Sequence, residues 1–353
     1  MELPFLSNRP KKRDHIVSID VGGRTSKAVH LQRKGDGFVL VNYAIVDAPI
    51  FDKPWSVELL TDHFKNVGQM LGNIKAKPMT LAIPVTDSIC RQIEVPAMPV
   101  SDLRMMLKFN SKTYLQQDLS DHVFDCCYVV SSASAPKQAP GPQKQRIMVG
   151  AAKKQKIDDL AAAVKAAGFI PDQIVPGLIG PVNAFELAEP EAFAKETLAL
   201  VDLGFKNSFI TILDCGEIKL NRVVDIGGDR LTAGLAESMN ISYVEADNIK
   251  IGMPTEVQPN LEALLSPLGR ELRASIDFFE HQNDKTLSQV FISGGSARND
   301  LIMQALQAEL MVPCKTWNPA GFVQVALDSQ KASEIEQVMP RLTVALGAAA
   351  SAF

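Results

Sequence analysis

The chain has 353 residues, of which 46% are hydrophobic and 22% charged, values typical of a globular protein with about two domains. Its 36 basic and 40 acidic side chains give a formal net charge of −4, which argues against a nucleic-acid partner. The sequence lacks the roughly 20 consecutive apolar residues of a membrane-spanning helix. Five cysteines without metal-ligand spacing favour a reduced, cytoplasmic protein.

The first part of the chain is predicted to alternate strands and helices after a flexible basic arm at residues 1–14. A helix is expected to begin at Ser56, and the side chain of Ser101 is expected to cap a second helix. The apolar positions of this second helix recur at helical spacing: Leu103, Met106, Leu107, Tyr114 and Leu115. Branched apolar runs predict strands at 15–20, 26–32, 37–46, 80–85 and 90–96.

The stretch 131–145 is rich in Ser, Ala, Pro and Gln and contains no apolar anchor. It joins two strand-like runs, 123–130 and 146–153, so it is predicted to be a disordered hairpin loop rather than a linker between domains. A helix is expected at about 156–167, and it should end at Gly168 because glycine readily adopts the left-handed conformation of a helix cap.

The second half of the chain repeats the pattern of the first. Residues 196–213 have the same order of strand, glycine turn and strand as residues 15–31, which indicates an internal repeat. Further on, Ser266 and Pro267 form a typical helix start. The core stripe predicted for that helix is Leu268, Leu272, Ile276 and Phe279.

Three glycine turns directly follow buried strands and carry the candidate chemistry. They are Asp20-Val21-Gly22-Gly23, Asp202-Leu203-Gly204 and Ser293-Gly294-Gly295-Ser296. Glycine lets backbone N–H groups approach an anion closely, and carboxylates such as Asp20 and Asp202 suit a hydrated Mg²⁺ beside phosphates. One such turn is common in α/β proteins, but two D-x-G turns followed by S-G-G-S indicate a nucleotide site.

The order of these turns resembles the superfamily of actin, heat-shock chaperones and sugar kinases. It is more closely similar to the PilM-type actin-like proteins of type IV pilus assembly, which are relatives of the division protein FtsA. The similar motifs are the first phosphate turn at 20–27, the second at 201–204, an I-G-G turn at 226–228, a helix motif at 246–250 and S-G-G-x-A at 293–297. The resemblance extends from about Ile16 to Ala349.

This resemblance implies an α/β, actin-like ATPase fold, in which two ribonuclease-H-like domains surround a nucleotide cleft that binds ATP. Asp20 and Asp202 would hold Mg²⁺, and no residue is assigned a catalytic role. The other residues implied to contact the nucleotide are Gly22, Gly23, Arg24, Thr25, Ser26, Lys27, Gly204, Lys206, Asn207, Gly227, Gly228, Asp247, Lys250, Gly294, Gly295 and Ser296. Arg24 and Phe205 replace small residues of the family turns, which predicts slow or absent ATP hydrolysis.

The resemblance also implies a domain organisation with an FtsA/PilM-type inserted subdomain that docks a partner. The expected ranges are 15–84, 174–199 and 334–353 for the first domain, 85–173 for the insert and 200–333 for the second domain, with a nucleotide-contacting subdomain at about 229–286. Two stretches rich in Gly and Ala, 176–188 and 342–352, are expected to be helices that cross closely between the domains.

The function implied is that of a cytoplasmic ATP-binding adaptor in a type IV pilus or type II secretion-like machine. The implied partner is the N-terminal cytoplasmic tail of a single-pass, PilN-like inner-membrane protein, which would hold the chain at the membrane. Oligomerisation is left open. Two alternatives remain, an FtsA-like division protein and a small-molecule kinase of the same fold. The first is disfavoured because the chain shows no C-terminal amphipathic helix, and the second because it shows no distinctive substrate motif.

Overall fold

The computed structural model describes residues 13–48, 55–74, 77–129, 144–252, 254–297 and 299–353. Residues 1–12 of the predicted arm and 131–143 of the predicted loop lie outside these ranges. The strands are β1 His15–Asp20, β2 Thr25–Lys34, β3 Gly37–Asp47, β4 Pro78–Ile83, β5 Ser88–Pro96, β6 His122–Tyr128, β7 Lys144–Lys153, β8 Ile170–Pro176, β9 Thr197–Leu203, β10 Ser208–Asp214, β11 Glu217–Val224, β12 Gln289–Gly294, β13 Cys314–Thr316 and β14 Val323–Val325. The helices are α1 Val57–Met70, α2 Val100–Leu115, α3 Lys154–Ala166, α4 Ile179–Ala188, α5 Pro190–Lys195, α6 Gly228–Met239, α7 Tyr243–Gly252, α8 Gln258–Asn283, α9 Asp300–Leu310, α10 Ser329–Val338 and α11 Thr343–Ala350.

The first sheet has six strands in the order β14-β3-β2-β1-β4-β8. Its strands β1, β2 and β3 form the predicted antiparallel meander, and β4 runs parallel to β1. Side chains alternate between the two faces of β1, so Val17 and Ile19 pack against α1 and α3 while Ile16 packs against α10 and α11. Both faces of this sheet are therefore buried, which explains its nearly continuous apolar runs.

The second sheet has five strands in the order β11-β10-β9-β12-β13 and repeats the plan of the first. An antiparallel meander is again followed by a parallel strand, β12, beside β9. One face packs against α8 and α9, and the predicted stripe of Leu268, Leu272, Ile276 and Phe279 is buried there. The other face packs against α4 through Phe185. The internal repeat predicted from the sequence thus corresponds to two sheets that share an antiparallel meander followed by a parallel strand.

A third sheet of three strands, β5-β7-β6, packs against α2 and forms the insert. The structure differs here from the predicted boundaries. Helix α3 contributes Leu160 and Val164 to the core of the first sheet, and β8 extends that sheet, although the range expected for the insert contains both elements. Helix α4, expected in the first domain, packs on the second sheet, whereas β14, expected in the second domain, pairs with β3 of the first sheet, on which α10 also packs.

Two helix starts also differ from the sequence prediction. Helix α2 begins at Val100, so Ser101 lies within its first turn and makes no capping hydrogen bond. Helix α8 begins at Gln258 and passes through Pro267. The buried contacts of Leu261 and Leu265 before this proline outweigh the helix hydrogen bond that proline removes. Ser56 and Gly168 behave as predicted, because Ser56 Oγ accepts a hydrogen bond from the backbone of Leu59 and Gly168 has a φ of +88°.

The two predicted glycine- and alanine-rich helices, α4 and α11, do cross at close range. A Cβ added to Gly180 would lie 2.6 Å from the carbonyl oxygen of Val344. A Cβ added to Gly347 would overlap the carbonyl oxygen of Gly180 and lie 2.9 Å from the nitrogen of Ala184. Since α4 packs on the second sheet and α11 on the first, this crossing fixes the two sheets relative to each other.

Replacing Gly347 with Ala is therefore expected to destabilise the protein by about 2 to 3 kcal/mol, because a backbone contact cannot be relieved by a rotamer change. Urea unfolding of the purified chain measures the loss. The matched control is Gly252→Ala, a helical position where no atom of the described residues outside the local backbone lies within 4 Å of the added Cβ, so that it should be neutral or slightly stabilising. Equal stability of the Gly347→Ala variant and the wild type would contradict the close crossing.

Candidate functional site

The first turn, residues 20–27, leaves β1 in a conformation that requires glycine. A Cβ added to Gly22 would lie 2.5 Å from the carbonyl oxygen of Thr25 and 2.7 Å from Nζ of Lys27. Asp20 and Lys27 are paired directly across β1 and β2, which brings Lys27 Nζ within 3.1 Å of Asp20 Oδ2. The sequence motif thus folds into a compact turn that carries one carboxylate and one ammonium group.

The second turn comprises the motif at residues 201–204 and residues 205–207 after it, and it carries a buried carboxylate, that of Asp202. Ser293 lies beside Asp202 in the parallel pair of β9 and β12, and Ser293 Oγ donates a hydrogen bond of 2.9 Å to Asp202 Oδ1. Burial raises the pKa of Asp202 to about 6, and the Asp20 carboxylate across the cleft adds to this rise, while the Ser293 hydrogen bond opposes it. A carboxyl group with this pKa would gain from a nearby cation.

The two turns face each other across a cavity of about 630 Å³, here called the cleft. A Cβ added to Gly23 would lie 3.4 Å from Cγ of Lys206, so the turns are in contact on one side. The predicted site residues that line the cleft are Asp20, Gly22, Gly23, Lys27, Asp202, Gly204, Lys206 and Asn207. The cleft is completed by Trp55, by residues 83–87 and by the start of α3.

The remaining nucleotide contacts predicted for residues 227–228, 247, 250 and 294–296 come together outside the lining of the cleft. Asp247 Oδ1 lies 3.0 Å from Lys250 Nζ and accepts a hydrogen bond of 3.2 Å from Thr232 Oγ1. Gly228 donates its backbone N–H to the carbonyl of Gly204, and Gly227 is in close contact with the second turn. The third turn holds Gly294 at a φ of +97°, with Gly295 and Ser296 following it toward Gly228.

Several predicted side chains do not point into the cleft. Ser26 lies on the opposite face of β2, where its Oγ is buried 2.8 Å from His63 Nε2. Thr25 Oγ1 accepts a hydrogen bond from Arg341. Asn207 lines the cleft, but its side-chain amide donates a hydrogen bond to Asp225. The turn spacing could not reveal these partners, because they come from distant parts of the chain. Sequence reasoning likewise did not identify Trp55 or the start of α3 as part of the cleft, since no local motif marks them.

The residues of the cleft fit a magnesium–nucleotide complex. The Asp20 carboxylate is close enough to contribute to the raised pKa of Asp202, and Lys27 supplies a positive charge 3.1 Å from Asp20 Oδ2. Within the described residues, His, Cys, Asp and Glu form no cluster of three that could hold a metal ion. The donor set therefore suits Mg²⁺ that arrives with phosphate oxygens and water as its remaining ligands.

A second cavity, of about 740 Å³, lies between the insert and the first sheet and is here called the groove. Consecutive residues 123–127 of β6 and 171–176 of β8 line it, so the backbones of two edge strands border it as well as their side chains. The remaining wall is mostly apolar and includes Ile157, Ala161 and Val164 of α3. Asp172 stands in this apolar wall, and burial raises its pKa.

Asp172 is a charged residue of the groove that carries a buried acceptor atom. Its Oδ1 lies 2.7 Å from Arg13, whereas its Oδ2 is buried without a hydrogen-bond partner among the residues that the structure describes. A buried carboxylate oxygen in this state is costly unless a donor reaches it. The groove therefore combines apolar walls, two strand edges and the buried carboxylate oxygen of Asp172.

Across the described ranges, no helix has the length and apolarity needed to cross a bilayer.

One protein family and several solved structures are similar to this chain. The family model described as "Type IV pilus assembly protein PilM" matches residues 18–353. The solved structure of a PilM-PilN type IV pilus biogenesis complex is similar with a TM-score of 0.82 and 20% identity, over 96% of this chain and 98% of that one. EutJ of Carboxydothermus hydrogenoformans follows with a TM-score of 0.53 and 15% identity, over 97% and 91%. MreB5 of Spiroplasma citri bound to AMPPNP has a TM-score of 0.51 and 12% identity, over 87% and 92%. These likenesses establish the actin-like ATPase fold.

Replacing Asp202 with Asn is expected to stabilise the protein, since the pKa of the carboxyl group rises from 3.8 to about 6 on folding. The charged form is thus disfavoured in the folded state, and its cost grows as the pH rises from about 4 to about 6 and persists above that. The Asn variant should gain about 1 to 3 kcal/mol at pH 7 and nothing at pH 4, because each pKa unit corresponds to about 1.4 kcal/mol. Urea unfolding in EDTA at the two pH values measures the difference.

Asp214→Asn is the matched control. Burial alone would raise the pKa of Asp214, but hydrogen bonds from Lys285 and Thr197 outweigh it and lower the pKa. This control should therefore lose stability at pH 7. If Asp202→Asn also lost stability at pH 7, the proposed electrostatic cost at Asp202 would not exist.

Proposed function

The chain belongs to the PilM family of type IV pilus assembly proteins, and from this membership we propose that it is a cytoplasmic ATP-binding adaptor of a type IV pilus or type II secretion-like machine. The observation that carries the proposal is that α3 borders both the cleft and the groove, so a nucleotide site and a peptide site have one wall in common. Family membership favours this function over the division-protein and kinase alternatives.

In this proposal the cleft binds ATP with Mg²⁺. Backbone N–H groups near Gly22 and Gly204 approach the phosphates, and Lys27 supplies a positive charge. Asp20 and Asp202 hold the metal ion, which, when bound, neutralises phosphate charge between the domains. Asp247, Lys250 and the turn from Gly294 to Ser296 are assigned to the ribose and base. Hydrolysis is slow or absent, because Phe205 and Lys206 stand at the second turn where the family has small residues.

The groove is proposed to bind the N-terminal cytoplasmic tail of a PilN-like inner-membrane protein. An extended peptide can add to an exposed strand edge, so that main-chain hydrogen bonds supply affinity and alternate side chains supply specificity. The edges of β6 and β8 and the apolar wall of α3 offer these contacts. The buried Oδ2 of Asp172 would accept a hydrogen bond from the peptide. Association with the inner membrane would then be peripheral, through the partner.

The two sites are proposed to be coupled through rigid-body contacts. Ile83 lines both the cleft and the groove, and Lys156 at the start of α3 pairs with Asp87 beside the cleft. On its other side the insert contacts the second domain, where Gln92 donates a hydrogen bond of 2.7 Å to the carbonyl of Ile218. A nucleotide that favours one arrangement of the domains would shift the affinity for the peptide, in proportion to its own preference between the two arrangements.

Binding of ATP with Mg²⁺ is expected for the wild type and should weaken at least about tenfold in two variants, as measured by calorimetry. Asp20→Ala removes a metal-binding carboxylate. Gly204→Asp adds a Cβ only 2.5 Å from the carbonyl oxygen of Asn207 and brings a negative charge to the phosphates. Asp36→Ala, an exposed position in the turn after β2, is the control and should bind like the wild type. Undetectable binding in all four proteins would refute the nucleotide site and leave the adaptor role standing.

Capture of the partner tail is expected to depend on one face of α3. Ala161 lines the groove, whereas its neighbour Ala162 is exposed on the outer side of the helix. Ala161→Arg should abolish binding of a labelled peptide that comprises the N-terminal cytoplasmic segment of a PilN-family protein, and Ala162→Arg should leave it unchanged. Fluorescence anisotropy measures both affinities. Equal binding by both variants would place the partner elsewhere.

A further inference from the structure

One side chain of the first domain reaches across the mouth of the cleft to the second domain. The guanidinium of Arg24 lies 2.8 Å from Asp247 Oδ2, and its central carbon lies 5.4 Å from the ring centre of Phe205. Arg24 belongs to the first phosphate turn, Phe205 to the second, and Asp247 to α7. The contact therefore joins three of the segments that are proposed to surround one nucleotide.

The acidic partner of this contact is firmly held, whereas Arg24 is not. The Asp247 side chain is 10% exposed and is also bound by Lys250 and Thr232. Burial alone would raise the pKa of Asp247, but the hydrogen bonds from Arg24 and Lys250 outweigh it and lower the pKa to about 2. The Arg24 side chain is 44% exposed, so water and salt screen the ion pair and a stronger anionic ligand can displace it.

We propose that Arg24 is a clamp that holds the two domains together across the cleft, and that a nucleoside polyphosphate releases the clamp by taking the guanidinium from Asp247. The guanidinium presents a planar fork of donors that matches phosphate oxygens in a bidentate manner. Gly23, the residue before Arg24, lines the cleft beside Lys206, so a short rotation of the side chain would bring it toward a phosphate at the turns. The release step rests on the proposed nucleotide binding, but the clamp itself does not.

This proposal gives Arg24 a different role from the other residues of its turn. Lys27 is paired with Asp20 within the first domain, and Lys206 is paired with Asp229 within the second. Arg24 instead pairs with a residue of the other domain. When its guanidinium binds a phosphate in place of Asp247, this contact between the domains is lost. Arg24 stands at a position where the family turns have a small residue. Its guanidinium would thus make closure of the cleft depend on the number of phosphates on the ligand.

The clamp is tested first without any ligand, by hydrogen–deuterium exchange of the full chain. Arg24→Ser should increase amide exchange several-fold in the second turn at 203–208 and in α7, and Arg24→Lys should give an intermediate increase. The matched control is Arg104→Ser, which removes an Arg–Asp pair of 2.8 Å within the insert and should leave both segments unchanged. Unchanged exchange in Arg24→Ser would overturn the clamp.

The release is tested with inorganic tripolyphosphate, a probe that has no ribose and so avoids the role proposed for Asp247 in the nucleoside site. Calorimetry should find about tenfold weaker binding by Arg24→Ser than by the wild type. Asp247→Asn should bind a few-fold more tightly, because Arg24 has lost its competing partner. In the double variant the gain from Asp247→Asn should disappear, since the two effects depend on the same contact.

Three results would overturn the release step. If Asp247→Asn raised the affinity equally with Arg24 and with Ser at position 24, the gain would reflect general charge and not competition. If Arg24→Ser bound tripolyphosphate like the wild type, the guanidinium would not contact phosphate. If the wild type bound neither tripolyphosphate nor ATP, both the release and the proposed nucleotide binding would fail, while the exchange experiment would still decide the clamp.

Discussion

The close crossing of α4 and α11 is the constraint on which the arrangement of both candidate sites depends. Because Gly180 and Gly347 have no side chains, the backbones of the two helices come into contact. One helix packs on each sheet, so their contact sets the distance between the sheets. The carboxyl-terminal ends of β1 and β9 consequently face each other, and the two glycine turns that follow them enclose one cleft.

The charged form of Asp202 in the cleft lowers the stability of the folded state. Burial and a neighbouring carboxylate raise the pKa of Asp202, which means that the folded protein would be more stable with a neutral group at this position. Buried groups with perturbed pKa values are typical of functional sites, where binding of a ligand offsets the cost. The pKa of Asp247 is shifted in the opposite direction. Hydrogen bonds from Arg24 and Lys250 outweigh the effect of burial and stabilise its charged form. Asp202 in the cleft would therefore be stabilised by a cation, whereas Asp247, outside the cleft lining, is already paired.

The position of α3 links the cleft to the groove. The family resemblance placed α3 within the insert, but its apolar face joins the core of the first sheet. One side of the helix therefore faces the groove, and its first turn faces the cleft. Movement of the insert relative to the first sheet would open or close the groove along α3. This placement makes the helix the natural element through which a bound nucleotide and a bound peptide would influence each other.

The sequence by itself determined the repeated strand order, the glycine turns and the glycine-rich crossing helices, because these depend on local patterns of burial and on backbone positions that admit only glycine. It did not determine which sheet α3 and α4 would join, since an apolar helix face does not specify its partner. Nor could turn spacing reveal that Ser26 faces His63, or that Arg24 reaches Asp247. These pairs join residues far apart in the chain, and only the packing of the two sheets through α4 and α11 brings the second pair within reach.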